Sequence, residues 1–113
     1  MIQMTFQVPD ELAERIEPLG NWLPTIIELS LVGFKTMATV TASEVIEFLS
    51  GNPTPERVLG YHVSENAQTR LQRLLALNEA GLISEMEQSE LDELQQVEHI
   101  LILLKARVAT QHQ

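Results

Sequence analysis

Residues 2 to 8 read Ile-Gln-Met-Thr-Phe-Gln-Val, with Ile2, Met4, Phe6 and Val8 alternating against Gln3, Thr5 and Gln7. Successive side chains of a strand point to opposite faces, so this period of two predicts a strand with one apolar and one polar face. No other segment of the chain alternates in this way. A lone strand leaves its amides and carbonyls without a ladder. The simplest remedy is pairing with the same strand of a second copy, related by a two-fold axis. The alternation therefore predicts a homodimer whose ribbon buries Ile2, Met4, Phe6 and Val8 and exposes Gln3, Thr5 and Gln7. The other reading of the same residues is a loose N-terminal arm.

Working outward, Pro9 ends the strand and suits a helix start. Leu12 and Ile16 lie one turn apart, and Asp10, Glu11 and Glu14 put negative charge near the helix N-terminus, where the backbone dipole favours it. Pro18 stops this helix and Leu19-Gly20 turns the chain. Asn21 is positioned as the N-cap of a second helix of about 14 residues, up to Phe34. Trp22, Leu23, Ile26, Ile27, Leu29, Leu31, Val32 and Phe34 make it apolar nearly all round, which predicts burial on most sides. A dimer core would supply that cover, with Ile27 and Leu31 joining the ribbon residues at the interface.

The remainder reads as helical. Thr41 and Glu44 have capping-box spacing ahead of Val45, Ile46, Phe48 and Leu49. Gly51-Asn52-Pro53-Thr54-Pro55 is the strongest break, and Thr54-Pro55 starts another helical turn. Ser64 caps a helix running to Ala80, which Gly81 ends. Ser84 and Glu87 form a second capping box, opening a helix over 85–109 with the stripe Leu91, Leu94, Val97, Leu101, Leu104 and Val108. Two uses of that stripe stay open: packing against Leu71, Leu74 and Leu75, or a docking surface for a partner protein. The expected fold is thus mainly α, with an N-terminal strand paired in a homodimer and a helical C-terminal arm or hairpin. The expected division is 1–36 and 37–113.

Composition narrows the function. The 113 residues carry 7 Lys+Arg against 16 Asp+Glu, a net charge of −9, and no cysteine. Disulfides, thiolate metal sites and cysteine nucleophiles are excluded, and an acidic chain lacks the cations that displace phosphate counterions. Hydrophobic residues reach 44% but aromatics only 4%, so the core must be aliphatic. The longest aliphatic run, Ile100 to Leu104, is far short of the roughly 20 residues a spanning helix needs. With no basic leader segment, a cytoplasmic protein without membrane contact is expected.

Catalytic and metal patterns fail one by one. Ala76 to Glu87 overlays a calcium-loop template, but Ala76 and Ala80 stand where oxygen ligands are needed. His62, His99 and His112 form no helical ligand pair. Glu85, Glu87, Glu90, Asp92, Glu93 and Glu98 read as a solvated helix face or as a docking site for a basic partner. No nucleophile elbow or phosphate loop occurs. No enzyme, cofactor or metal is expected.

The order strand, Pro-Asp-Glu-Leu helix start, Gly20-Asn21 turn and second helix over residues 2 to 34 resembles the ribbon-helix-helix family. That resemblance implies an antiparallel ribbon in the DNA major groove, with Gln3, Thr5 and Gln7 facing the bases. It also implies a phosphate held on the backbone amides of Asn21, Trp22 and Leu23. The departure is charge: residues 1 to 35 hold Arg15 and Lys35 against Asp10, Glu11, Glu14, Glu17 and Glu28. The run from Asn78 to Ser84, with Glu87, Glu90 to Leu94 and Leu103 to Ala106, resembles small antitoxin-like cyanobacterial proteins. This second resemblance implies a cognate toxin, a basic nuclease-like protein, covered by the C-terminal helices through Leu91, Leu94, Val97, Leu101 and Leu104. The expectation is an antitoxin-like, DNA-binding homodimeric regulator. Its rival is a helical interaction adaptor that does not bind DNA.

Overall fold

The computed structural model describes residues 1–111. Its helices are α1 (Asp10–Ile16), α2 (Leu23–Leu31), α3 (Ala38–Ser50), α4 (Pro55–Leu59), α5 (Glu65–Glu79) and α6 (Glu85–Gln111). A tight 3-10 segment, Glu17–Trp22, joins α1 to α2.

The expected strand is absent. Residues 1–9 take no regular structure, and no strand occurs among the described residues. Alternation states which side chains share a face, but a strand also needs a neighbour for its backbone groups. This chain supplies none. Ile2, Met4 and Phe6 instead stand 91%, 81% and 63% exposed, and Val8 is half-buried. The ribbon of the expected fold class is therefore corrected to an extended arm.

Locally coded helix ends appear as read. Thr54 Oγ1 accepts from the Arg57 amide at 3.3 Å, and Ser64 Oγ from the Ala67 amide at 3.2 Å. Ser84 and Glu87 exchange hydrogen bonds at 3.1 Å each, the reciprocal pair of a capping box. Past α5, Gly81 turns left-handed at φ 71°, and the Leu82 amide reaches back to the Leu77 carbonyl at 2.9 Å.

Two other ends differ from expectation. Asn21 does not cap α2: Trp22 holds the N-cap position without a side-chain hydrogen bond. The helix also closes at Leu31, because the backbone turns left-handed at Gly33 (φ 71°) before Phe34. In α3 the Thr41 side chain is buried mid-helix, and the helix opens three residues earlier, at Ala38. The turn that leads into it is held from α6. Glu93 accepts from the amides of Lys35 (3.0 Å) and Thr36 (3.1 Å) and from Thr36 Oγ1 (2.6 Å), and Thr36 Oγ1 accepts from the Ala38 amide at 3.1 Å.

The core forms around α6. Trp22, Ile26 and Leu29 meet Ala42, Val45 and Leu49 of α3, Val58 of α4, and Val97, Ile100, Leu101, Leu104 and Val108 of α6. A second cluster joins Ala38, Leu74, Leu91 and Leu94, and Phe34 packs against both. Elements from both sides of the 36/37 division thus share one core. Leu91, Leu94, Val97, Leu101 and Leu104, considered above as a partner surface, are all buried and serve as the spine of the fold. The radius of gyration is 16.0 Å, above the roughly 13 Å of a compact chain of this length. The long α6 and the outlying α1, which buries none of its residues, account for the excess.

Gly20 carries the corner between α1 and α2 at φ 59°, ψ −135°, a region open to glycine but strained for other residues. A Cβ there would also lie 3.1 Å from Asn52 Oδ1. Gly20→Ala is expected to lower unfolding stability by about 1–3 kcal/mol. Urea denaturation checks it, and an unchanged midpoint would show that the corner tolerates a side chain.

Candidate interaction surface

Two surfaces stand out. The first is α2. At 100° per residue, Trp22, Thr25, Ile26 and Leu29 fall on one side and are buried. Leu23, Pro24, Ile27 and Leu31 fall on the other, with Glu28 beside them. Ile27 is 42% exposed and Leu31 78%. The sequence made this helix apolar nearly all round, and the fold covers only half of it. Glu28 lies beside that outward side, and residues 1–32 as a whole hold five acids against Arg15.

The second surface is a half-open groove of about 310 Å³ between the Tyr61–Val63 loop, α3, α5 and α6. Val63, Ala67, Leu71, Leu101 and Ile102 give it apolar walls. The loop is held from three sides. Tyr61 stacks on Phe48 at a centroid distance of 4.3 Å, and the Arg57 guanidinium lies 5.8 Å over the Phe48 ring. Lys105 Nζ donates to the Tyr61 carbonyl, and Gln68 Nε2 donates to the Val63 carbonyl at 2.9 Å. Burial, with a smaller contribution from the Glu44 charge, raises the Tyr61 phenol above its ordinary pKa. The groove is not legible in the sequence, because its walls come from three separate stretches, Thr41, residues 61–71 and residues 94–105.

The residues expected to touch DNA do not form a site. Gln3, Thr5 and Gln7 are exposed on the arm, away from any ribbon. Trp22 is buried, with its Nε1–H donating to the Pro53 carbonyl at 2.9 Å. The Leu23 amide donates to the Gly20 carbonyl, so it is not available to a phosphate, and Asn21 is exposed on the 3-10 segment. The cradle implied by the ribbon-helix-helix resemblance is therefore not assembled at this turn.

The acidic stretch of α6 also divides by role. Glu87 caps its own helix, and hydrogen bonds from the Ser84 amide and hydroxyl hold its carboxyl below the ordinary pKa. Glu90 forks the Arg70 guanidinium at 2.7 and 3.0 Å, a pairing that raises the Arg70 pKa. Glu93 holds the turn before α3. Glu85, Asp92 and Glu98 are exposed. The sequence signal for the first role was the Ser84-Glu87 spacing; the other two join residues 20 and 57 positions apart, and local pattern carries no trace of them. Burial works to raise the Glu93 pKa, but the Thr36 hydroxyl, the Lys35 and Thr36 amides and the Lys35 charge together hold it below the ordinary value.

His62 and His99 are exposed, and His112 lies outside the described residues. Among the described residues no three His, Cys, Asp or Glu side chains gather as a metal site, and no helix is long and apolar enough to cross a membrane. Comparison with family models, curated proteins and solved structures finds no match to this chain.

Proposed function

We propose that this chain is a non-catalytic interaction protein, antitoxin-like in that it works by covering a cognate basic, nuclease-like partner. The observation that carries the reading is the outward face of α2. Ile27 and Leu31 follow one another at helical spacing, open to solvent, with half-buried Leu23 one turn before them, on a helix whose other face is already in the core. Exposed apolar patches rimmed by polar groups mark protein-binding sites. Glu28 beside it and the acidic N-terminal third of the chain suit a positively charged partner, which they would steer into contact and whose association would weaken with salt. A chain of net charge −9 has the same bias as a whole. The docking surface thus moves from the C-terminal stripe, now core, to the N-terminal third of the chain.

Operator DNA is the rival partner. Gln3, Thr5 and Gln7 are exposed and offer hydrogen bonds to base edges. Against it, residues 1–32 carry a net charge of −4, five acids less Arg15, which opposes phosphate contact.

The test is binding between the purified chain and the product of the adjacent gene. Ile27→Asp with Leu31→Asp should weaken it at least tenfold, about 1.4 kcal/mol, while the exposed positions leave the thermal melt unchanged. A parallel mobility shift uses the gene's upstream DNA with Gln3→Ala and Gln7→Ala. Full partner binding by the α2 variant would remove the α2 docking surface. A sequence-specific shift lost in the glutamine variant would favour the DNA reading instead.

A further inference from the structure

The arm and the groove are both apolar and both unfilled. Side chains 2 to 8 carry no charge, and Ile2, Met4 and Phe6 are largely in water. The groove is lined by residues from Thr41 to Lys105, so the arm does not occupy the groove of its own chain. Two of its polar groups are engaged, Lys105 on the Tyr61 carbonyl and Gln68 on the Val63 carbonyl. The floor is apolar, and Glu98 and His62 stand exposed at the edge of the groove. Its volume, near the lower end for ligand cavities, suits a few side chains rather than a whole helix.

We infer that the arm of a second copy fills this groove, with Phe6 as its anchor, and that the exchange is reciprocal. Charge argues for this occupant. Two copies of a chain at −9 repel one another, and their association is least opposed through a segment without charged side chains. Residues 1–9 carry no charged side chain and supply none of the buried core residues, and fully extended they reach about 30 Å. The contact differs from a paired ribbon, because each arm packs on the other copy's helices and needs no ladder partner. It also leaves the outward face of α2 open, so it stands or falls separately from the partner reading above.

The experiment is mass measurement by size exclusion with light scattering at about 100 μM, a concentration at which a dimer of roughly micromolar Kd is nearly complete. The native chain should run at twice its 12.7 kDa. Phe6→Asp damages the arm, and Ile102→Lys damages the groove at a residue 56% exposed. Lysine there sits four residues after Glu98, a favourable helical pair, so α6 is not weakened. Followed over a dilution series from about 100 to 1 μM, each variant alone should dimerise at least tenfold more weakly. Mixed in equal amounts they should dimerise more tightly than either alone, since one of the two arm–groove contacts is intact in the mixed pair. A monomeric native chain overturns the inference. So does a dimer that survives Phe6→Asp but is lost in Leu31→Asp, or a mixture that dimerises no more tightly than either variant alone.

Discussion

Trp22→Ala is expected to remove about 3–5 kcal/mol of unfolding stability, the range for deleting a buried aromatic side chain. Trp22 is 7% exposed and sits where the 3-10 segment enters α2, packed in the cluster that joins α2, α3, α4 and α6. Its Nε1–H also donates to the Pro53 carbonyl, 31 residues on, at 2.9 Å in a buried setting. The indole therefore does two things at once. It fills the core end of α2, and it pins the Gly51–Pro55 break to that helix. Trp22→Phe separates them: the ring remains, the carbonyl of the buried Pro53 loses its donor, and the loss should be about 1–3 kcal/mol. Against a total stability of about 5–15 kcal/mol for a small domain, the alanine variant falls near the limit of folding. Urea denaturation followed by far-ultraviolet circular dichroism measures both, since the variants lack the indole signal. A loss under 1 kcal/mol for Trp22→Ala would mean that the corner is held by something other than the indole.

Glu93→Ala is expected to lower stability by about 1.5–3 kcal/mol at neutral pH, the scale of hydrogen bonds to a charged acceptor. The carboxylate accepts three of them, from the Lys35 and Thr36 amides and the Thr36 hydroxyl, and so ties the turn before α3 to the middle of α6. Losing it leaves the start of α3 with Thr36 alone as its cap, through the 3.1 Å bond from the Ala38 amide. Acid should erase the difference. The folded-state pKa of Glu93 lies below its ordinary value. The carboxylate's contribution is therefore complete above the unfolded pKa, about 4.3, and is lost as pH falls through the lower folded value. Glu93→Gln, which cannot titrate, should be less stable than the native chain at pH 7 and should approach it below pH 4. Urea midpoints at both pH values test this, and a gap of equal size at both would show that the charge is not what Glu93 contributes.

The two variants also mark where reading the chain succeeded and where it did not. Helices α4, α5 and α6 begin at Thr54, Ser64 and Ser84 as their residue types and spacing indicate. In each the cap partner is three residues away, within reach of local pattern. The side chain that meets the first α3 amide is Thr36, held in place by Glu93 57 residues on, and a capping-box spacing at Thr41 and Glu44 pointed to the wrong residue. The candidate docking face divides the same way. That α2 is apolar on nearly every side was plain; which half meets the core was not, because helical periodicity is silent when no polar face breaks it.

The sequence by itself determined that this is an acidic, cysteine-free, mainly helical chain, where three of its helices start, and that Leu91 to Val108 forms one apolar stripe on a long helix. Those are properties of composition and of neighbours three or four residues apart. Only the tertiary structure decided that the stripe is the spine of the core, that Ile27 and Leu31 face outward, and that residues 2 to 8 form no strand. Each of these depends on what lies opposite a residue in space. Burial, a ladder partner and a distant hydrogen bond are relations between segments, and a segment's own residues do not contain them.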